Sequence, residues 1–541
     1  MTVATRAAAP EPTPAFSGNT RASPPAWHTW APPVLLALAT VLVYVPSLRA
    51  GFLNYDDPWL IRDNPVLQDA SLEAWSRILF DLSRENRLVL GAEYLPLRDL
   101  SYWLEIRVFG VWPQGMHAVQ LALYVAAVLL FRGALRRAQG PGVLTEIAAW
   151  VFALHPVHVE SVAWLAGRKD VLALLFIGAA LYAYAGKARH RVVTVPLCLA
   201  AACLSKSMSV AAPALLVALD LAARRRPAWA VWGTSALAVA LVLPLHVLVG
   251  QTVRMTTPPI GGTRWTAAVT MGPVILRYLG LAVFPPGLSL VHDVRALGSV
   301  TALSIAGWLT ALALGGVGLY AWRRHEEPLP LAAWLWFFAP LVPVSQILFP
   351  LQNLMADRYL WLSVMAPALG LGVLAQRWRK GGRWVAGCSA ATFALFTTLR
   401  ALLFANPTQL YTDALAKTTL SPIPPYQLGQ VFEERGDDET ALHYYELTLE
   451  RAPGSDELAR RATNNLAKLH ARAGRLEEAQ ALLVRGLALW PNDPKIVGNL
   501  AEVLARQGRH QQAIETCRQL IRRWPNYALG VGRCRDRYGR L

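Results

Sequence analysis

Eleven apolar runs, separated by short segments that carry arginine, leave this chain few ways to fold. They fall at roughly 31–49, 117–135, 143–159, 170–186, 191–205, 209–223, 229–249, 299–321, 330–350, 358–376 and 384–404. Most approach the ~20 residues that a helix needs to cross the hydrocarbon layer of a bilayer. A backbone in lipid has to satisfy its own hydrogen bonds, so the runs read as membrane helices and the fold class as all-α. The composition agrees, with 54% hydrophobic and only 16% charged residues, against about 25% charged in ordinary soluble chains. One more run, about 272–284, contains Arg277 and ends at Pro285-Pro286. At that length it reads as an interfacial or re-entrant segment.

Lysine and arginine placement sets the orientation. Taking every second loop as cytoplasmic collects Arg132, Arg136 and Arg137, then Lys187, Arg189 and Arg191, then Arg224, Arg225 and Arg226. If 272–284 does not cross, the same side collects Arg323, Arg324, Arg377, Arg379, Lys380 and Arg383. The expectation is therefore about 11 spans, with the N-terminus cytoplasmic and the C-terminus outside. The formal net charge of +17 is used up in these orientation signals, and no basic-aromatic module for nucleic acid is present. Residues 1–30, rich in Ala, Pro, Thr and Ser, read as a disordered tail rather than a cleaved signal peptide. Cys198, Cys203 and Cys388 lie in apolar runs and read as packing residues, whereas Cys517 and Cys534 can pair if their end faces an oxidising compartment.

From about 405 the character changes. Ala441, Ala479 and Ala513 recur in step with Pro453, Pro491 and Pro525, and with Gly429, Ala467 and Ala501 twelve positions before each alanine. Leu428, Leu466 and Leu500 supply the apolar partner. This is the tetratricopeptide pattern, with small residues where two helices touch and proline where the next unit opens. Three units and a terminal helix, about 526–541, make a minimal α-solenoid. The expected organisation is a tail at 1–30, a membrane domain at 31–404 with its first outer loop at 50–116, and a repeat domain at 405–541. In that outer loop, Ser71–Leu79 has the capping and spacing of a short amphipathic helix on the membrane surface. The repeats are expected to bind an acceptor or partner protein as a module separable from chemistry.

The informative residues lie outside. The first loop opens with Asn54-Tyr55-Asp56-Asp57, two adjacent carboxylates at the membrane boundary, where burial has to be compensated by a partner or a function. The second carries His155, His158 and Glu160, then Arg168, Lys169 and Asp170, and the next carries Lys206. Later come Asp357, Arg358 and Tyr359. Cations in short outer loops run against the orientation rule, and a polyanion bound at the outer surface explains them. His155, His158 and Glu160 have spacing compatible with a metal, although Pro156 breaks the shared helix face. Asp357-Arg358 and Lys169-Asp170 also read as local ion pairs, and Lys206 as a side chain reaching the interface. Transfer from a lipid-linked phosphate fits the set. Arginine and lysine would stabilise the leaving phosphate, and a carboxylate would take the proton of an attacking hydroxyl.

Asn54-Tyr55-Asp56-Asp57, His155-Pro156-Val157-His158 through Gly167-Arg168-Lys169-Asp170, Ser205-Lys206 and Asp357-Arg358-Tyr359, together with the order of parts from about 31 onward, resemble the transmembrane and tetratricopeptide-repeat O-mannosyltransferase family and its bacterial relatives. The resemblance implies a GT-C type glycosyltransferase in a bacterial inner membrane, with its repeats on the periplasmic side. It implies a polyprenyl-phosphate-linked sugar as donor, mannose or similar, and a protein acceptor. Asp56 or Asp57 would be the base, with Asp56 preferred. Arg168, Lys169, Lys206 and Arg358 are candidate phosphate contacts on electrostatic grounds, with His155, His158, Glu160, Asp357 and Tyr359 as further site candidates. No cofactor is implied with certainty, and a divalent metal is left open. Ser207 departs from the acidic residue that many relatives carry after Ser-Lys. A repeat-bearing envelope scaffold is the alternative. It would have no need of the carboxylate pair. A lipid-linked oligosaccharide transporter or polymerase fits less well, because most spans lack ionisable residues near their middle.

Overall fold

The structure is a computed structural model that describes residues 27–254, 258–452, 454 and 456–538. The expected tail, apart from its last residues, and Pro453 lie outside the described residues. Among the described residues the chain is helical throughout, without a β-strand. Six helices among the described residues are long and apolar enough to cross a membrane: Trp30–Arg49, Pro113–Gln139, Trp229–Thr252, Arg264–Val283, Ala302–His325 and Lys380–Phe404. Val143–Leu154, Arg191–Ser205, Pro213–Ala222 and Leu329–Leu341 are apolar but shorter.

Two expected boundaries change for local reasons. The run at 143–159 stops being helical at Leu154, because His155 adopts an extended backbone and Pro156 opens a separate 3-10 turn. The run at 358–376 opens as the 3-10 turn Asp357–Leu360 and becomes α-helical only at Met365. The segment read as 272–284 is longer than its apolar stretch. Thr263 and Thr266 form a reciprocal capping box that starts the helix at Arg264, eight residues before hydropathy marks it. This helix packs closely on Ala302–His325. A Cβ on Gly307 would fall onto the carbonyl of Gly272, so the crossing requires glycine there.

The arginine clusters assigned to one side do gather at one end of the bundle. Arg225 donates to the carbonyls of Arg137 and Ala185, and Arg137 reaches Tyr182. Arg224 and Arg377 lie 3.6 and 3.1 Å from Glu327, just past Arg323 and Arg324. Helix Trp229–Thr252 leaves this end and finishes at the other, where Val249 and Val253 pack on Tyr94 of the first loop. Ala302–His325 returns to the basic end. Arg264–Val283, expected from the sequence as a non-crossing segment, is itself long and apolar enough to cross a membrane.

The end opposite the arginines carries the long first loop, which is folded rather than slack. It contains helices Leu72–Leu79, Arg84–Val89 and Pro96–Phe109. The expected amphipathic helix is present, with Ala74 and Ile78 buried and Leu72 86% exposed. Its entry differs from expectation. The Ser71 side chain makes no capping bond, and Asp69 instead accepts the Ser71 N–H at 2.9 Å.

The repeat domain stacks three helix pairs, Ile423–Glu434 with Asp438–Arg451, Glu457–Arg472 with Leu476–Leu489, and Pro494–Arg506 with His510–Arg523. Ala441, Ala479 and Ala513 are fully buried at the contacts. A Cβ on Gly429 would meet the ring of Tyr445 at 2.7 Å, which is why the first pair needs glycine there. The terminal helix runs Ala528–Tyr538, and Cys534 on it is disulfide-bonded to Cys517. Repeats and membrane domain are tied together. Asp293 accepts backbone N–H groups of Thr419, Leu420 and Ser421 at 2.7, 3.1 and 3.2 Å, and Asn54 bonds Glu434 at 3.1 Å.

Candidate active site

The two adjacent carboxylates of the first loop have different surroundings. Asp57 is 1% exposed, and its two oxygens accept the N–H of Leu53 at 2.8 Å and of Ala166 at 2.9 Å. It closes its own turn and clips that turn to the second outer loop. Burial pushes its carboxyl up to about 7, against the pull of those two N–H groups. Asp56 is only partly buried and faces a cleft of about 420 Å³ lined also by Tyr55, Trp59, Tyr426, Gln427, Gln430 and Arg461. Burial raises its carboxyl too, opposed by the charges of Lys169 and Arg358 and by a hydrogen bond with Trp59.

The second outer loop is a tight double turn. Gly167 sits so close to Ser161 that a Cβ would lie 2.6 Å from the Ser161 carbonyl oxygen. Arg168 follows, fully buried, and holds the Gln120 side chain at 2.9 Å, the Met116 carbonyl at 3.0 Å and both oxygens of Glu105. Those contacts seal it inside, so Arg168 does not stand among phosphate contacts; it fixes the first loop to the bundle. Lys206 has a similar fate. It is 3% exposed, paired with the buried Asp170 and set 5.1 Å from the Trp361 ring centre. Asp170 also accepts the Ser161 hydroxyl at 2.9 Å, which locks the double turn to the helix it starts.

Lys169 and Arg358 keep part of their side chains exposed. Lys169 pairs with Glu93 at 2.8 Å with a quarter of its side chain exposed. Arg358 is anchored by the buried Glu160, which accepts its backbone N–H at 2.9 Å and pairs with its guanidinium. The guanidinium lies 5.7 and 5.6 Å from the ring centres of Trp164 and Tyr359. Tyr359 is buried and donates to the Asn353 carbonyl at 3.3 Å, holding the preceding loop. Arg358 lines a second cavity of about 170 Å³ with Tyr55, His292, Asn353 and Ser421. Tyr55 and Ile423 border both this cavity and the Asp56 cleft.

The two histidines do not converge with Glu160. His155 accepts the Val157 N–H on Nδ1 at 3.2 Å, so its Nε2 carries the proton and donates to the Ala282 carbonyl at 3.1 Å. His158 is buried between Tyr124 and Phe152, at ring-centre distances of 5.4 and 4.7 Å, and burial pushes its imidazole well down. Both are structural, and among the described residues no group of three His, Cys, Asp or Glu side chains is placed to hold a metal.

Asp357 is buried in a bridge that the sequence did not disclose. It accepts from His292 at 2.6 Å and from Arg400 at 2.7 Å. His292 in turn meets Arg277 at 3.3 Å. The available signal was Arg400 itself, a charge inside an apolar run, which calls for a partner. Glu93 and Glu105 were missed because nothing in their local sequence distinguishes them from surface loop residues.

The repeats are not separate from this site. Tyr426, Gln427 and Gln430 of the first repeat helix, and Glu457, Leu458 and Arg461 of the third, line the cleft that Asp56 faces. The expected recognition module thus shares a cleft with the first outer loop.

Comparison with known proteins finds similarity to tetratricopeptide-repeat profiles and to protein O-mannosyl-transferases. The tetratricopeptide-repeat family profiles match residues 423–492 and 464–528. Mouse protein O-mannosyl-transferase TMTC1 is 36% identical over 154 residues, 28% of this chain and 16% of that protein. Human TMTC2 is 34% identical over 146 residues, 26% of this chain and 17% of that protein. Drosophila Tmtc3 is 23% identical over 558 residues, covering 84% of this chain and 58% of the fly protein. The matched stretch is thus a small part of the mammalian relatives and somewhat over half of the fly one. Among solved structures, an Archaeoglobus fulgidus oligosaccharyltransferase tethered to an acceptor peptide aligns over 79% of this chain and 60% of that chain, with a TM-score of 0.37 and 14% identity.

Proposed function

We propose that this multi-pass, tetratricopeptide-repeat relative of the protein O-mannosyl-transferases transfers a sugar, mannose or similar, from a polyprenyl-phosphate donor to a hydroxyl of a protein on the outer side of the membrane. One observation carries the reading: a cleft lined by Asp56 and a cavity lined by Arg358 share Tyr55 and Ile423 as lining residues.

The arrangement suits the reaction. The acceptor hydroxyl oxygen attacks the anomeric carbon, the bond from that carbon to the phosphate oxygen breaks, and the hydroxyl proton passes to Asp56. Negative charge collects on the departing phosphate, where Arg358, backed by Glu160, stabilises it, with Lys169 nearby. Asp56 is suited to the base role because it is the carboxylate of the pair whose oxygens are not tied to the backbone. Burial shifts its carboxyl upward, which makes it a stronger base than a free aspartate. Asp57 positions it. The sidedness is supported by the arginines gathered at the opposite end and by the Cys517–Cys534 bond, which belongs in an oxidising compartment.

The test is direct. The purified protein in detergent receives a polyprenyl-phosphate mannose and a peptide containing Ser and Thr. Mannosylated peptide is expected, and Asp56→Asn should lower its formation by about 10²–10⁴ while donor still binds. Absence of transfer from any polyprenyl-phosphate sugar would overturn the reading.

A further inference from the structure

We propose that the cleft facing Asp56 seats an extended polypeptide segment by its backbone, and that the first repeat helix supplies the hydrogen-bonding partners. The role given to the segment, as the acceptor, rests on the function proposed above.

The argument begins with Gln427. It is 5% exposed, lines the cleft, and its side-chain carbonyl oxygen is buried without a hydrogen-bond partner. A buried acceptor left unpaired is costly, and it is relieved when a ligand brings a donor. Gln430 lies one helical turn further along the same helix and lines the same cleft. Carboxamides both accept and donate, which is the pattern that an extended backbone offers with its alternating N–H and C=O groups. The charged residues at the far wall cancel, since Arg461 pairs with Glu457 at 2.9 Å. Trp59, 47% exposed, and Tyr426 give the cleft two broad apolar faces against which a side chain or the backbone can lie.

The donor lipid approaches from the bilayer and its phosphate from the cavity lined by Arg358. The cleft lined by Asp56 opens instead toward the repeats. Its volume of about 420 Å³ falls in the range of about 300–1,000 Å³ typical of binding clefts. Backbone recognition of this kind selects extended segments over folded surfaces and tolerates varied sequence beside the hydroxyl residue. Gln427 thereby acts as a specificity residue for the acceptor.

The experiment uses the full chain in detergent and a fluorescent peptide rich in Ala, Gly, Ser and Thr, beside the same peptide with N-methylated amides. Anisotropy reads binding without donor. The parent is expected to bind the ordinary peptide more tightly than the methylated one. Gln427→Leu should weaken the ordinary peptide about three- to tenfold and leave the methylated peptide unchanged. Its thermal midpoint should equal or exceed the parent value, because an unpaired buried carbonyl has been removed. Equal binding of the two peptides, parental binding by both Gln427→Leu and Gln430→Leu, or no binding at all overturns the proposal. Binding that follows this pattern in a protein that transfers no sugar would overturn the proposed function and leave this inference standing.

Discussion

Glu160 holds Arg358 twice, taking its backbone N–H at 2.9 Å on one oxygen and its guanidinium on the other, across 198 positions of sequence. The carboxylate is fully buried, while 14% of the arginine side chain is exposed. A buried anion thus fixes a cation whose remaining surface borders a cavity. Removing one partner of such a pair leaves an uncompensated charge, which is more harmful than replacing both. Glu160→Gln should weaken binding of a polyprenyl-phosphate sugar about tenfold or more, and Arg358→Ala at least as much. The double variant should be no worse than Arg358→Ala alone, since the two act as one unit. Donor-binding measurements on the three variants check the coupling, and strictly additive losses would deny it.

The carboxylate pair should divide cleanly under substitution. Asp56→Asn keeps volume but cannot accept the proton, so peptide transfer should fall by about 10²–10⁴ with donor binding and thermal midpoint close to parental. In Asp57→Asn the amide NH2 cannot accept, leaving the N–H of Leu53 or Ala166 without its partner. That should cost about 1–3 kcal/mol of stability and lower activity through loss of loop position. Parallel melting curves and transfer assays separate the two effects, and equal behaviour of the variants would refute the division.

Asp57 also predicts a pH dependence. Its folded value is raised to about 7, above the ordinary ~3.9 of an unfolded aspartate. Between those values the folded state retains a proton that the unfolded state has lost, so stability from this group is full at about pH 4 and declines as pH rises toward 7. Thermal midpoints of the parent relative to Asp57→Asn, taken from pH 4 to 8, should show the parent's extra decline in that window and a constant difference above it. A parent-minus-variant difference that rises through the window would reverse the sign and refute the assignment.

Asp293 ties the segment between the membrane domain and the repeats by three backbone N–H bonds. Asp293→Ala should expose residues 418–422 to proteolysis several-fold faster in detergent. Deleting 421–541 should depress transfer even to a short peptide, because Tyr426 and Gln427 help form the Asp56 cleft. Undiminished short-peptide transfer by an inserted, folded truncation would show that the repeats contribute nothing there.

A reporter active only in the cytoplasm, fused after Leu541, should be silent if the repeats lie outside. The basis is that the repeats dock on the end of the bundle away from Arg137, Arg224 and Arg377. Activity of that reporter would invert the orientation.

What the sequence determined by itself was whatever physics writes locally. Apolar length demanded membrane helices, arginine placement sorted the loops to two ends, and the recurrence of Ala441, Ala479 and Ala513 announced stacked helix pairs. The Asn54–Asp57 turn was also legible, because a carboxylate pair at a membrane boundary requires an explanation. Tertiary structure alone decided the partners. Arg168, Lys169, Lys206 and Arg358 look equivalent in the sequence, yet Glu105 and Asp170 seal the first and third, while Glu93 pairs with a partly exposed Lys169 and Glu160 holds Arg358 beside a cavity. The same holds for Asp56 and Asp57, whose roles separate only when the N–H of Ala166 arrives from 109 positions away. Charge and burial act through distances in space, and neighbours in sequence carry no information about a counter-charge contributed by another helix.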